Sequence, residues 1–266
     1  MSIAFGSALG NSIFLRAGSS LTFMTNSVGD LLTLGTEVAF TDDTSFGGSG
    51  TNVNVRGNGT VIYNGTTDYR GTVQINNANF KVNGQIDQAS IFVCRNRNFS
   101  LQRGTLSGSG VLTGGVFANS GAISPDTGET LTLGSLSLSP ADPINGTLGS
   151  LVHIDIDSGS IPSTVTVTGA ASLAGILEIN LDPSALPGTY ILLTSSGITG
   201  TFDSVRFTGK TPRYSLSYVP VGNPRFVQFD FLGYPPSERP EKPSKFVGKI
   251  KIGNHSNLKL KTKWKK

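Results

Sequence analysis

A histidine and two aspartates at alternate positions form the pattern in this sequence that comes nearest to a reactive site. His153, Asp155 and Asp157 are separated by isoleucines within residues 151–157. Side chains alternate between the two faces of a strand, so the three polar groups would share one face, and imidazole with carboxylates can bind a metal. The same alternation also describes an ordinary strand whose apolar residues pack inward and whose polar residues meet solvent. We favour that second interpretation and assign no metal ligand.

Two further groups of reactive side chains have equally simple structural explanations. Asp42 and Asp43 are an adjacent acidic pair, and paired carboxylates can act as acid and base in glycoside cleavage. They precede a Phe-Gly-Gly sequence and are flanked by threonines, which predicts a turn. Cys94 lies inside an apolar strand with no histidine nearby in sequence, so we expect a buried, unreactive thiol. The other histidine, His255, follows an asparagine in a predicted turn.

The usual sequence signatures of catalysis do not occur in a suitable context. There is no Gly-x-Ser-x-Gly elbow, phosphate-binding loop or dinucleotide fingerprint between a strand and a helix. A calcium-binding repeat of glycine and aspartate is also missing. We therefore assign no catalytic, cofactor-binding or metal-binding residue and no cofactor, and predict that the protein is not an enzyme.

The composition favours many short strands joined by tight turns. The chain has 34 glycines, one cysteine and only 14% charged residues. Residues 1–234 carry 11 Lys and Arg against 15 Asp and Glu, whereas residues 235–266 carry 10 against 2. The basic charge therefore belongs to the tail, where lysines on the exposed face of edge strands explain it better than binding to an anionic partner. We predict no nucleic-acid binding by the main body and no membrane insertion, because no segment reaches roughly 18 consecutive apolar residues.

Apolar and polar residues alternate along most of the predicted strands. Val73 and Ile75 alternate with Thr72 and Gln74, and residues 130–138 repeat the pattern with leucines against threonines and serines. The cluster Gly57-Asn-Gly59 is echoed 51 positions later by Gly108-Ser-Gly110, which suggests two coils of about 25 residues each. Such spacing predicts a solenoid. We divide the chain into a β-helical repeat region (1–150), a β-helix end or β-sandwich-like cap (151–233), a proline-rich linker (234–244) and two lysine-rich strands (245–266).

Four glycine-rich motifs together resemble the passenger-associated repeat of bacterial autotransporters: Gly57-Asn-Gly-Thr-Val61, Asn64-Gly65, Tyr69-Arg-Gly71 and Val82-Asn-Gly84. Gly108-Ser-Gly-Val-Leu-Thr-Gly-Gly115 resembles the section that follows this repeat in such passengers, and Gly200-Thr-Phe202 is similar to passenger C-terminal regions. The resemblance implies an all-β fold, a right-handed parallel β-helix displayed outside the cell. Residues 243–264 resemble the opening two strands of a fibronectin type III domain, in which Trp264 would be a core residue. The N-terminus lacks the features of a secretion signal, so we expect an export signal to lie elsewhere.

We therefore expect a non-catalytic, extracellular stalk or passenger segment of a bacterial surface protein. It would support adhesion or surface display and be attached to the outer membrane through other parts of the protein. The partners are unknown, with a host surface or a glycan as the candidates. The alternative is a carbohydrate-active or glycan-binding β-helix protein, which would need clustered carboxylates or a groove lined by exposed aromatic residues.

Overall fold

The computed structural model describes residues 12–42, 50–95, 103–141 and 148–235 of this chain. Contacts divide the chain into one unit over residues 1–234 and a second over residues 235–266. The predicted strands at 245–266, nearly all of the predicted linker, and Asp43 lie outside the described residues. The described part consists of strands and contains no helix.

Twenty-two strands occur in the described residues. In chain order they are β1 (Ser12–Leu15), β2 (Ser20–Thr25), β3 (Leu31–Leu34), β4 (Ala39–Asp42), β5 (Asn52–Gly57), β6 (Thr60–Tyr63), β7 (Thr66–Thr67), β8 (Thr72–Asn76), β9 (Asn79–Val82), β10 (Gln85–Ile86), β11 (Ser90–Cys94), β12 (Thr105–Gly108), β13 (Val111–Asn119), β14 (Ala122–Pro125), β15 (Thr130–Leu138), β16 (Leu151–Ile156), β17 (Thr164–Leu173), β18 (Ile176–Leu181), β19 (Gly188–Gly200), β20 (Ser204–Phe207), β21 (Tyr214–Val219) and β22 (Phe226–Phe231).

Three rows of parallel strands are visited in turn by the chain. Row A begins with β2, β5, β8 and β11, and row B is the eight-stranded sheet β3-β6-β9-β12-β14-β16-β18-β20. Row C contains β7 and β10, and β10 pairs with the first residues of β13. In the first coil its place is taken by β4, which pairs in parallel with β1 and lies against β7 without a ladder. One strand from each row makes one coil, and each coil hydrogen-bonds to the next through parallel ladders. This arrangement is all-β, mostly parallel and consistent with a β-solenoid.

Four long strands join row C to row A in the later coils. The first residues of β13 continue row C and its last residues pair with β11 in row A. Strands β15, β17 and β19 repeat this arrangement, and each ladder shifts register in the middle of the strand. Gly114 and Gly115 lie at the first of these shifts. A bend within a continuous strand thus replaces the turn that separates rows C and A in the earlier coils.

The coils differ in length, because loops of different sizes leave the same stacked strands. Thr72 pairs with Ser90, 18 positions later, whereas Leu136 pairs with Ala171, 35 positions later. The expected 25-residue repeat is therefore wrong as a fixed period. Gly57 ends β5 at the corner between rows A and B, and Gly108 ends β12 at the corner between rows B and C.

These two glycines nevertheless have the same structural role at their different corners. Both have positive φ, 111° for Gly57 and 109° for Gly108. A Cβ atom on Gly57 would overlap the carbonyl oxygen of Thr25 in the preceding coil, and one on Gly108 would overlap that of Val82. Only glycine allows both this conformation and this close approach of two backbones. The local motif is therefore repeated for a geometric reason, although the interval is not.

The interior of the coils is one continuous hydrophobic cluster that extends from Leu15 to Phe231. The predicted alternation is confirmed where the structure describes it. In β8 and β15 the residues predicted to face inward are buried, and β16 buries Val152, Ile154 and Ile156. Stacking places one apolar side chain above another in successive coils, so each coil covers the apolar face of its neighbour.

An antiparallel hairpin ends the parallel stack on the C-terminal side. Strands β21 and β22 pair antiparallel, and β22 also pairs antiparallel with the first half of β19 in row C. Phe229 is fully buried beneath the hairpin, and the rings of Tyr190, Phe207 and Tyr214 lie within 6.4 Å of its ring. The hairpin thereby covers an edge that would otherwise offer free backbone groups for pairing.

Candidate functional site

His153 belongs to a row of charged side chains on the outer face of row B. The parallel ladder places His153 beside Glu178, and Glu178 beside Arg206 of the next strand. His153 Nδ1 lies 2.8 Å from Glu178 Oε2, and Arg206 Nε lies 2.8 Å from Glu178 Oε1. His153 Nε2 lies 3.4 Å from Asp155 Oδ1. His153 thus meets Asp155, two residues further along its own strand, and Glu178, in the neighbouring strand of the next coil. These side chains form one polar surface.

The carboxylates of this surface already have partners on every oxygen. Both oxygens of Glu178 are engaged by His153 and Arg206. The Asn180 amide donates to Asp155 Oδ1 at 2.7 Å, and the Thr127 hydroxyl donates to Asp155 Oδ2 at 3.1 Å. A general acid or base needs an oxygen that faces the substrate. The cluster is therefore best explained as a cross-strand network that fixes the register of three neighbouring coils.

The structure places these candidate residues at different points of the fold. His153 and Asp155 meet, but the carboxylate of Asp157 accepts a hydrogen bond from the backbone N–H of Ile161 and so closes a turn. Among the described residues, no group of three His, Cys, Asp or Glu side chains is arranged to hold a metal ion. Asp42 is the last residue of β4. The predicted alternation of buried isoleucines and outward polar residues along the His153 strand is confirmed.

Cys94 differs in part from its prediction. It is the last residue of β11, where Ile91 and Val93 point inward while Phe92 and Cys94 point outward. The thiol is therefore half-buried on the outer face and is not a core residue. Burial raises the pKa of the Cys94 thiol above its ordinary value, so little thiolate forms at neutral pH. The expectation of an unreactive thiol therefore still has a physical basis.

A groove of about 410 Å³ lies elsewhere on row B, at the N-terminal ends of its strands. Its floor is a ladder of residues paired in register from β6 to β16, which we call the floor ladder. The members are Thr60, Asn79, Thr105, Ala122 and Leu151. The first three offer hydroxyl and amide groups, and the last two provide an apolar end. The groove is open to solvent along its length, so a ligand lying in it would keep part of its surface exposed.

One side of the groove is formed by the corner between rows A and B. Asn58, Asn77 and Arg103 line it, each two residues before a member of the floor ladder. Asn77 has a positive φ of 61°, a conformation that asparagine adopts more readily than most residues. Asn58 donates a hydrogen bond from its amide to the backbone oxygen of Asn26 at 3.3 Å. The exposed Val28 lies at the rim.

Arg103 is the one charged side chain among the described residues that line this groove. Its Nη1 donates to the backbone oxygen of Ser120 at 3.1 Å and to that of Gly149, one and two coils further on. Burial, followed by the positive charges of Arg206 and Arg95, lowers the pKa of Arg103, while Glu178 opposes this shift. No carboxylate of the described residues forms an ion pair with Arg103. A fixed guanidinium with this surrounding attracts anions.

The sequence analysis did not single out Glu178, Arg206 or Arg103. Glu178 lies in a strand with the same apolar alternation as the His153 strand, and that pattern could have suggested that both face outward. To predict that His153 and Glu178 lie side by side, the register between their two strands must be known. These residues are 25 positions apart in the sequence, and no local motif encodes that register. The position of Arg103 at the corner depends on its hydrogen bonds to backbone oxygens 17 and 46 positions further along the chain, which no local motif encodes.

Comparison of the chain with protein-family models and with curated proteins gives no match. Within the described residues, no helix has the length and apolar character needed to span a membrane.

Proposed function

We propose that this chain is a non-catalytic structural segment of a bacterial surface protein, a right-handed β-helical stalk of the passenger type that stands outside the cell. The observation that carries this proposal is the uninterrupted stack of parallel coils around one hydrophobic cluster. A right-handed path is the usual hand for connections between parallel strands.

The distribution of loops and polar groups also favours a structural role for this chain. Coils of different length still pair through parallel ladders, so their connections vary in length while the core remains continuous. In the most prominent charged cluster, around His153 and Glu178, the carboxylate oxygens are already occupied by ion pairs and hydrogen bonds to neighbouring strands. Such a surface stabilises the stack and leaves display or adhesion to loops and grooves.

Surface labelling of the bacterium that encodes this chain tests the proposal. An antibody raised against residues 12–235 is expected to label intact cells, and protease added outside the cells is expected to remove that labelling. A periplasmic and a cytoplasmic marker protein provide the controls for cell integrity. Labelling that appears only after lysis would contradict an extracellular stalk.

The enzyme alternative is tested separately on the purified protein. Polysaccharides of plant, animal and bacterial origin are incubated with it, and new reducing ends and unsaturated products are measured. We expect no turnover above that of a heat-denatured sample. Turnover that is lost in Glu178→Gln would instead make the His153 cluster catalytic and would overturn the non-catalytic proposal.

A further inference from the structure

We propose that the groove at the corner of rows A and B binds an acidic oligosaccharide, whose carboxylate is held by Arg103. This inference is independent of the stalk proposal, because it concerns what the groove recognises and not where the protein is located. It rests on the groove's shape, on its repeating hydrogen-bonding groups and on the guanidinium of Arg103, which forms no ion pair with any carboxylate of the described residues.

The floor ladder repeats in the direction in which a linear glycan would lie. Thr60, Asn79 and Thr105 occupy equivalent positions in three successive strands of row B. Adjacent strands are about 4.8 Å apart, which is close to the length of one sugar unit in a linear glycan. Each sugar would therefore meet a new hydroxyl or amide. Side chains that both donate and accept hydrogen bonds suit the hydroxyl groups of sugars.

The charge of the groove selects an acidic member of that class. Guanidinium groups offer five N–H donors, and Arg103 uses Nη1 for the backbone oxygens of Ser120 and Gly149. The donors on Nε and Nη2 donate to no described residue. They have the fork geometry that pairs with a carboxylate. A single cation beside neutral amides fits one carboxylate among hydroxyls better than the closely spaced phosphates of a nucleic acid.

A glycan-binding experiment with purified wild-type protein tests this inference. The probes are oligosaccharides that carry galacturonate, glucuronate or sialic acid, each compared with its methyl ester, which has the same shape and no charge. We expect binding to at least one acid form and binding of its ester that is weaker by about 10- to 100-fold, the loss of one charge-assisted pair. Binding is expected to weaken as salt increases. Failure of every acid form to bind would overturn the proposal.

Charge changes in and around the groove separate recognition from folding. Arg103→Gln should reduce binding to the level of the methyl ester, whereas Arg225→Gln, the same change at an exposed arginine outside the groove, should leave it unchanged. Val28 is 73% exposed at the rim, so its replacement should not affect the fold. Val28→Glu should weaken binding of the acid form by roughly two- to fivefold and Val28→Lys should strengthen it similarly.

Three results would count against the site. Equal responses to Val28→Glu and Val28→Lys would show that the groove is not where the glycan lies. Equal competition by inorganic sulfate or by a single-stranded oligonucleotide would show a general anion site and not a glycan site. Full binding by Arg103→Gln protein with an unchanged melting temperature would remove the assigned role of Arg103.

Discussion

The two ends of the coil stack and its middle solve the same packing problem with different side chains. Near the N-terminal end, Phe40 is fully buried and its ring centre lies 5.2 Å from those of Tyr63 and Tyr69. Near the C-terminal end, Phe229 packs among several aromatic rings. The N-terminal group also includes Phe80, whose ring centre lies 6.4 Å from that of Tyr63. Between Phe80 and Tyr190 the largest fully buried side chains of the described residues are aliphatic, such as Leu106, Leu112, Ile123 and Leu131.

The difference follows from the number of neighbouring coils. A coil in the middle has an apolar partner on both sides, so medium-sized aliphatic side chains are covered completely. In the first described coil, β4 is covered on its outer side by the short strand β1, and larger rings bury more area per residue where less chain covers the stack. Aromatic residues in the middle lie outside, where Phe92 and Phe117 stack at 5.1 Å on row A. Stability at the ends therefore depends on fewer, larger side chains.

The strongest test of this comparison removes the central ring of the N-terminal group. Phe40→Ala should lower the free energy of unfolding by about 3–5 kcal/mol, because a buried phenylalanine is lost and a cavity remains. Hydrogen exchange should increase first in β2 to β6 and leave the hairpin of β21 and β22 protected. Phe14→Ala, at a phenylalanine that is 60% exposed, is the control. Equal loosening of both ends would show that the stack unfolds as one unit.

Glycine positions give a second contrast, between an internal corner and the last coil. Gly108→Ala should destabilise the protein by about 1–3 kcal/mol or more, because φ is 109° and the new Cβ would overlap the Val82 carbonyl oxygen. Gly197→Ala in the last coil should be nearly neutral, since no atom lies within 4 Å of the position of its Cβ. Urea unfolding of both variants measures the difference. Similar losses would mean that close backbone contact is not what requires glycine at the corner.

Much of the strand content could be predicted from local pattern alone. Alternation in residues 130–138 predicted which side chains of β15 face inward, and each of those leucines is buried. The pattern is reliable because a side chain that points to the inside of a stacked coil is always surrounded by the hydrophobic core. The same logic identified the strand of His153 and predicted that its isoleucines point inward.

The features that local pattern could not supply all depend on contacts between coils. The interval from Gly57 to Gly108 looked periodic, but the two residues lie at different corners because the intervening loops differ in length. The groove needs the register of β6, β9 and β12 and the reach of Arg103 across two coils. Sequence shows which residues face outward, whereas register decides which outward residues meet.

A smaller effect distinguishes two tyrosines near opposite ends of the stack, the fully buried Tyr63 and the partly buried Tyr218. Tyr218 accepts a hydrogen bond from the backbone N–H of Phe202 at 2.9 Å, whereas the hydroxyl of Tyr63 lies near Thr67 but makes no hydrogen bond of standard geometry among the described residues. Tyr218→Phe should therefore cost about 1–2 kcal/mol, because the Phe202 N–H loses its acceptor. Tyr63→Phe should change the free energy of unfolding by less than about 1 kcal/mol at neutral pH. The reverse order would show that the Tyr63 hydroxyl has a structural role.

The same tyrosines should make the protein sensitive to alkaline pH. Burial raises the pKa of Tyr63 to about 12 from its ordinary value of 10.0, although an interaction with Thr67 opposes the shift, and burial also raises the pKa of Tyr218. Between these two values the unfolded chain releases the Tyr63 proton while the folded chain keeps it. Stability is therefore retained below about pH 10 and falls as the pH rises towards 12.

Unfolding by urea across this pH range isolates the contribution of Tyr63. Tyr63→Phe should remove part of the alkaline loss of stability, and Tyr218→Phe should remove a separate part. If the Tyr63→Phe protein lost stability with the wild-type slope, the N-terminal aromatic group would have to open before titration. The large buried ring of Tyr63 would then lie in the first segment to unfold. The ends and the middle of the stack would in that case differ in how cooperatively they unfold as well as in how they are packed.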